Sequence, residues 1–185
     1  MKKTLAIVVF VLFAVAWAGA QHDIGFKGFG AKIGIVMPDD VDNTVGFGLF
    51  ADLGSFEKFQ LQAYLDYWSQ EYTRDNKWDW RWSVISLAAI GTYEFDLHSS
   101  IKPYVGAGLG FDISSWKSEF RRSDSSAELE DEPRSSETDF DLALHLIGGA
   151  SYAFSPTLEG FAEIKFATGG IDYFGVYVGV VYKIR

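Results

Sequence analysis

Residues 174–184 read Phe174-Gly-Val-Tyr-Val-Gly-Val-Val-Tyr-Lys-Ile184. The even-numbered positions are all apolar or aromatic, whereas the odd-numbered positions mix glycine, Tyr177, Val181 and Lys183. Successive side chains of a β-strand point to opposite faces, so one face of this stretch is apolar and the other carries mainly small or polar residues. Its length suits a tilted strand that crosses a bilayer. The stretch therefore predicts a transmembrane β-strand.

Seven earlier stretches show the same alternation, and together the eight predict an all-β, eight-stranded antiparallel up-and-down transmembrane barrel. The seven stretches run approximately over residues 26–37, 44–53, 59–68, 80–95, 101–113, 140–154 and 159–167. In the fourth, the odd positions 85–93 make the better apolar face. The connections alternate between longer, more polar ones, including residues 69–79 and 114–139, and tight turns. This alternation is typical of an even-stranded barrel with both chain ends on one side.

The first twenty residues have the organisation of a cleaved signal peptide. Lys2 and Lys3 precede an apolar run over residues 5–17, and Ala18-Gly19-Ala20 supplies the small residues of a cleavage site. The apolar run is shorter than the ~20 residues that a spanning helix needs. We therefore expect residues 1–20 to be removed and residues 21–185 to form one barrel domain.

Composition excludes several functional classes. Without the predicted leader, 14 basic residues stand against 25 acidic ones, which argues against binding nucleic acid. There is no cysteine, so disulfides cannot stabilise an exported form. Aromatic residues make up 17% of the chain, as expected of a barrel with interfacial girdles.

Alternation alone leaves two orientations open: an apolar interior, as in a soluble lipocalin-like barrel, or an apolar exterior against lipid. Glycine on the second face favours the lipid-facing orientation, because small residues make room inside a narrow eight-stranded lumen. Charged groups on the same face predict a polar network in the lumen, since an unpaired charge there is costly. Replacing Lys102 or Asp66 by leucine should then lower the unfolding temperature. The predicted lumen network comprises Lys32, Asp52, Asp66, Glu94, Lys102, Asp112, Asp141, His145, Glu163, Lys165 and Lys183.

Aromatic residues collect near the ends of the predicted strands, which indicates two interfacial girdles. Phe56, Phe59, Tyr93 and Phe95 lie near the tight turns. Near the longer connections, Trp78, Trp80 and Trp82 alternatively suggest a platform that binds a sugar or a partner. The predicted girdle near the longer connections comprises Trp68, Trp78, Trp80, Trp82, Trp116 and Tyr173.

The chain resembles the small outer-membrane β-barrel superfamily of Gram-negative bacteria, and is similar to the transmembrane domain of outer membrane protein A. The sharpest motif is the C-terminal pattern by which the barrel-assembly machinery recognises its clients, matched here by Tyr177, Gly179, Tyr182 and Ile184. The resemblance implies export to the outer membrane and contact with its lipid and lipopolysaccharide. It also implies periplasmic chaperones and the barrel-assembly machinery as partners during biogenesis, and a monomeric barrel.

Catalysis is the weaker hypothesis. His145, Asp141, Ser114 and Ser115 invite comparison with small-barrel lipid A deacylases, but His145 is predicted in the lumen, out of reach of an acyl chain. The residues predict no catalytic group, no cofactor and no metal site. The acidic connection over residues 114–139 suggests either contact with divalent cations or lipopolysaccharide, or simply a solvated loop.

The leading functional hypothesis is a non-enzymatic structural or surface-interaction role through the external loops. The alternative is a narrow pore for ions or small solutes, since eight strands leave a lumen that side chains can fill. A lipid A-modifying acyl hydrolase ranks third.

Overall fold

The computed structural model describes residues 23–39, 42–74, 78–120 and 136–184. The predicted leader, residues 1–20, lies outside these ranges, so its cleavage stays a prediction. Within the described residues, no helix is long and apolar enough to cross a membrane.

Eight antiparallel strands form a closed barrel in which each strand pairs with its neighbours in sequence and the last pairs with the first. This confirms the predicted fold class. The strands are β1 (Ile24–Pro38), β2 (Thr44–Phe56), β3 (Phe59–Arg74), β4 (Trp78–Glu94), β5 (Ile101–Phe120), β6 (Ser136–Ala153), β7 (Leu158–Thr168) and β8 (Tyr173–Lys183).

Apolar side chains cover the outside of the barrel, and the polar face lies within. Leu49 and Val178 are more than half exposed, while Lys32 and Lys165 are buried. An exposed aliphatic belt of this extent is stable only against lipid, because monomeric soluble proteins rarely expose large apolar patches. The fourth strand has the predicted phase, since Ile85 points outward.

Strands β3 to β6 are longer than the alternation predicted, so the predicted connections over residues 69–79 and 114–139 were wrong in extent. Gln70, in the first of these connections, pairs with Trp82 of β4, and Ser115 pairs with Thr138 within the second. Backbone hydrogen bonds between strands need no apolar side chain, so strand pairing continues beyond the apolar belt on the outside of the barrel. Residues 121–135 of the predicted acidic loop lie outside the described ranges.

We call the extended part of these strands the outer wall, comprising residues 69–74, 78–83, 114–120 and 136–139. The register of β2 with β3 ends at the pair Gly46 and Trp68, and that of β6 with β7 ends at Leu144 and Thr168. The hydroxyl of Thr44 donates to the Ser69 carbonyl at 2.6 Å. Above these points, the described parts of β3 and β6 have a neighbouring strand on one side alone.

Candidate functional site

Four charged side chains meet in the middle of the lumen, and we call them the central ion cluster: Lys32, Asp66, Glu163 and Lys165. Lys32 Nζ lies 2.8 Å from Glu163 Oε1 and 3.4 Å from Asp66 Oδ1, and Lys165 Nζ lies 2.5 Å from Asp66 Oδ2. All four side chains are at most 2% exposed. Two cations and two anions balance, as buried charges require.

Tyrosines surround the central ion cluster. The hydroxyl of Tyr104 donates to Glu163 Oε2 at 3.1 Å. Lys32 Nζ lies 4.5 Å from the ring centre of Tyr64 and 4.4 Å from that of Tyr177, within range of cation–π attraction. The rings and hydroxyls thus replace the water that the charges give up.

Glycine makes the space for this cluster. A Cβ placed on Gly48 would lie 2.1 Å from Asp66 Oδ1 and 2.7 Å from Lys32 Cε. Similarly, a Cβ on Gly110 would lie 2.7 Å from His145 Nε2. At Gly48 and Gly110, the absence of a side chain is therefore explained by the close approach of polar side chains from neighbouring strands.

Replacing Gly48 by alanine should lower the unfolding free energy by about 1–3 kcal/mol, because the new methyl group displaces the Lys32–Asp66 contact. Urea unfolding in detergent micelles measures the loss. The matched control is Gly91→Ala, since a Cβ there meets nothing closer than 4.0 Å. Equal losses for the two variants would contradict the packing argument.

A second polar group lies on β4, β5 and β6. Ser86 Oγ donates to Asp112 Oδ1, and His145 Nε2 lies 3.8 Å from the same oxygen. The carboxylate therefore stands between the hydroxyl and the imidazole, whereas a nucleophile requires the imidazole beside the hydroxyl. His145 is fully buried, and Asp141 is the half-buried register partner of Asp112.

The remaining predicted network residues lie toward the end with the tight turns. Lys102 Nζ lies 2.8 Å from Glu94 Oε1, and Lys183 Nζ lies 2.5 Å from Glu159 Oε2. Asp52 accepts from the backbone nitrogen of Gly54 at 2.9 Å. The side chain of Lys102 is 43% exposed, so we expect Lys102→Leu to lower the unfolding temperature less than Asp66→Leu, because water can solvate the charge left behind.

Reasoning from sequence missed Glu159, which is buried, and Ser86, which bonds Asp112. Strand parity was the signal that could have identified both. Glu159 shares its face with Glu163 and Lys165, and Ser86 lies opposite the apolar face of the fourth strand.

The prediction of a girdle near the longer connections was wrong for four aromatic residues. Trp68 and Tyr173 are each 1% exposed and meet edge-to-face inside the lumen, with ring centres 6.1 Å apart. Trp82 packs against the same core, and Trp116, its register partner on β5, is half-buried. We call this lumenal group the aromatic cap: Val36, Trp68, Trp82, Val84, Ala167, Ile171, Tyr173 and Tyr177.

Strand parity explains the error. Trp68 lies two residues after Asp66, and Tyr173 lies two residues before Gly175, so each shares the inner face of its strand. The side chains of Trp78 and Trp80 lie outside the described part of the structure. The proposed tryptophan platform is therefore tested only at Trp82, which faces the lumen core.

At the end with the tight turns, aromatic residues do face outward. Phe56, Phe59 and Phe95 are each more than a third exposed. The ring centres of Phe59 and Tyr93 lie 6.0 Å apart, and those of Tyr93 and Phe95 lie 5.1 Å apart. This arrangement fits an interfacial girdle on that side of the membrane.

The residues of the predicted assembly motif divide between the two faces. Tyr177 is buried in the lumen and Gly179 shares its face, whereas Tyr182 and Ile184 are exposed on the outside. Recognition of this pattern stays a prediction. In the described residues, no group of three or more His, Asp or Glu side chains is placed to hold a metal ion.

Comparison with solved structures finds the same fold in several outer-membrane proteins. Neisserial surface protein A matches with a TM-score of 0.56 at 18% identity, over 86% of this chain and 96% of that one. Ail, the attachment invasion locus protein of Yersinia pestis, in complex with the heparin analogue sucrose octasulfate, matches with a TM-score of 0.54 at 15% identity, over 85% and 99%. A major outer membrane protein from Thermus thermophilus matches with a TM-score of 0.57 at 10% identity, over 85% and 99%.

Identities this low establish a shared fold and nothing about ligands. No curated protein matches the sequence significantly. The model of one family, described as outer membrane protein beta-barrel domain, matches residues 4–183. Because that match spans nearly the whole sequence, the chain belongs to the outer membrane protein beta-barrel domain family.

Proposed function

We propose that the chain is a sealed outer-membrane barrel with a structural or surface-interaction role, carried by its outer wall and external connections and requiring no catalysis. The observation that carries the proposal is the filled lumen. The central ion cluster crosses its middle, and the aromatic cap lies between that cluster and the outer wall. An eight-stranded barrel packed in this way leaves its outward-facing surface as the part that meets the environment.

The outer wall supports the interaction role. Among the described residues, β3 and β6 have no paired strand on one side within this wall, and such edges present backbone donors and acceptors, the groups that pair with an added strand. Arg81 and Glu71 form an exposed ion pair across this wall, and Phe140, at its base, is 64% exposed. Charged and aromatic groups beside open strand edges favour protein recognition.

The proposal extends to biogenesis and surroundings. We propose export through the leader and delivery by periplasmic chaperones to the barrel-assembly machinery, with lipid and lipopolysaccharide around a monomeric barrel. The C-terminal pattern ending at Ile184 and the apolar outer belt support this route.

A shortened outer wall tests the interaction role. Gln70 and Trp82 are register partners, so replacing residues 71–81 by Asn-Gly joins them through a two-residue hairpin turn. We expect the shortened barrel to unfold at the same urea concentration as the full chain while cells that display it lose adhesion to host-cell and abiotic surfaces. Unchanged adhesion combined with increased permeability of cells lacking the gene would favour a purely structural role.

A narrow pore is the second candidate, favoured by a cavity at the end of the barrel with the tight turns, whose lining includes the polar side chains of Gln62, Glu94 and Glu159. Conductance across a planar bilayer distinguishes the two functions. A sealed lumen should leave the bilayer silent at physiological salt, because an ion would have to displace Lys32 or Lys165 from carboxylates at 2.5–2.8 Å. Discrete, reproducible openings would support the pore and overturn the sealed barrel.

A further inference from the structure

Two tryptophans lie side by side on the inner face of the outer wall, and we call them the tryptophan pair. Trp82 and Trp116 are register partners on β4 and β5, and both are half-buried. Trp116 has the parity of the buried Asp112, so it lies on the face of β5 that looks toward the barrel axis. Cross-strand partners on one face of a sheet are close neighbours. The two rings therefore contribute to one aromatic surface at the end of the barrel opposite the tight turns.

Polar side chains flank the tryptophan pair. Gln70 of β3 is the register partner of Trp82 and is half-buried. Ser114 precedes Trp116 on the same face of β5 and is also half-buried, while its own register partner, Asp139, is exposed. An amide, a hydroxyl and a carboxylate together supply hydrogen-bond donors and acceptors. The aromatic surface therefore has groups beside it that can bond a ligand rich in hydroxyls.

The inner face of the outer wall looks toward the outside of the cell. Short turns face the periplasm in outer-membrane barrels, so the opposite mouth is external. Across the barrel, β1 ends at Pro38, where it pairs with Tyr173 at the start of β8, while the wall continues. The floor below the tryptophan pair is the aromatic cap, against which Trp82 packs. This geometry favours a ligand that approaches along the barrel axis rather than from the lipid.

The aromatic cap beneath the tryptophan pair holds a hydrogen-bond donor that the described structure does not satisfy. Trp68 belongs to the same cluster as Trp82 and is 1% exposed, yet its Nε1 has no acceptor within hydrogen-bond distance. Buried indole N–H groups ordinarily have a partner. A hydroxyl oxygen of a ligand seated on the cap would be such a partner. This observation is independent of the exposed aromatic surface.

The combination of these groups selects an uncharged saccharide over other ligands. The C–H face of a sugar ring packs on the electron-rich face of an aromatic ring, while its hydroxyls both donate and accept hydrogen bonds. An anionic ligand would meet Asp139 and the half-buried Asp141 in a chain whose net charge is −9. A wholly apolar ligand would cover Gln70 and Ser114 without bonding them, which is costly.

We propose that the tryptophan pair binds an uncharged oligosaccharide of glucose-like rings that reaches the barrel from outside the cell. A ring stacks on Trp82 and Trp116, and its hydroxyls bond Gln70, Ser114 and Asp139. The proposal rests on the surface-interaction role and names a ligand class for it. The inner position of the pair favours an external saccharide over lipopolysaccharide of the same membrane, which adjoins the outer face of the barrel.

Titration of the full chain with cellohexaose, followed by NMR of the indole N–H groups, tests the proposal. Micelles of lauryldimethylamine oxide suit the experiment, because this detergent has no sugar headgroup that would compete. We expect saturable shifts of the indole signals of Trp82 and Trp116, assigned from the spectra of Trp82→Phe and Trp116→Phe. Trp116→Ala should weaken binding about tenfold, because one of the two stacking rings is lost.

Phe140→Ala is the matched control for Trp116→Ala. Phe140 is 64% exposed at the base of the same wall and lies on its outer face, so its loss should leave cellohexaose binding unchanged. Gln70→Ala keeps both rings and should weaken binding a few-fold, because one hydrogen-bonding group is removed. This variant decides the matter if Trp116→Ala fails to fold.

The absence of saturable indole shifts, or equal weakening by Phe140→Ala, would overturn the proposal. Shifts with tetramethylammonium chloride and none with cellohexaose would do the same, because the pair would then recognise a cation. Shifts with lipopolysaccharide alone would assign the pair to the surrounding membrane and overturn the external source. Adhesion of cells that display the shortened barrel tests the surface role separately. Lost adhesion without any cellohexaose shifts would reject the saccharide and keep that role.

Discussion

Replacing Asp66 by asparagine should lower the unfolding free energy by about 3–5 kcal/mol, the usual cost of removing one partner from a buried ion pair. Asp66 holds both Lys32 and Lys165, which are fully buried and have Glu163 as the remaining carboxylate of the cluster. The substitution keeps size and shape, so the loss reports charge alone. Urea unfolding of the barrel in lipid vesicles, followed by tryptophan fluorescence, measures it.

Glu94→Gln is the matched control for Asp66→Asn. It also removes one carboxylate from a lysine pair, but that pair lies at the rim, where the Lys102 side chain is 43% exposed. Solvent screens such pairs, and we expect a loss below ~1 kcal/mol. Similar losses at Asp66 and Glu94 would show that the central ion cluster is no more important than a surface pair.

Truncating Trp68 to alanine should also lower the unfolding free energy by about 3–5 kcal/mol, as for large aromatic residues in packed cores. Trp68 lies in the aromatic cap between Val36, Val84 and Tyr173, and the lumen wall cannot collapse to fill the space. The same urea titration measures the effect.

The neighbouring Tyr67 provides the comparison for Trp68. Its side chain is 44% exposed on the outside, where lipid tails can occupy the space that a lost ring leaves. Tyr67→Ala should therefore cost clearly less than Trp68→Ala. A larger loss of unfolding free energy for Tyr67→Ala than for Trp68→Ala would contradict the lumenal position of Trp68 and would favour its place in an outer girdle.

Wall shortening and conductance test separate parts of the proposed function. The absence of conductance across a planar bilayer would support a sealed lumen. Loss of adhesion by the shortened barrel would support an interaction role of the outer wall. The sealed lumen and the interaction role of the outer wall can therefore be contradicted independently of each other.

Strand number and the two faces of the barrel were readable from the residues. The even-numbered positions over residues 174–184 are all apolar, and glycine on the opposite face favoured the lipid-facing orientation. The extent of β3 to β6 was not readable in this way, because residues 69–74 and 114–120 lack the apolar partners that mark a strand against lipid. Their pairing depends on the neighbouring strand.

The sequence by itself determined which side chains of a strand share a face, because a strand has a period of two and a closed sheet has only an inside and an outside. It did not determine which of them meet. Lys32 and Glu163 are 131 positions apart, and they come within 2.8 Å because strand tilt and register bring them to the same height. Tertiary structure alone decided that four charges gather in the middle, that Trp68 and Tyr173 cap them, and that Lys102 stays at the rim. Height along the barrel axis is a property of paired strands and is not encoded in the alternation of any single one.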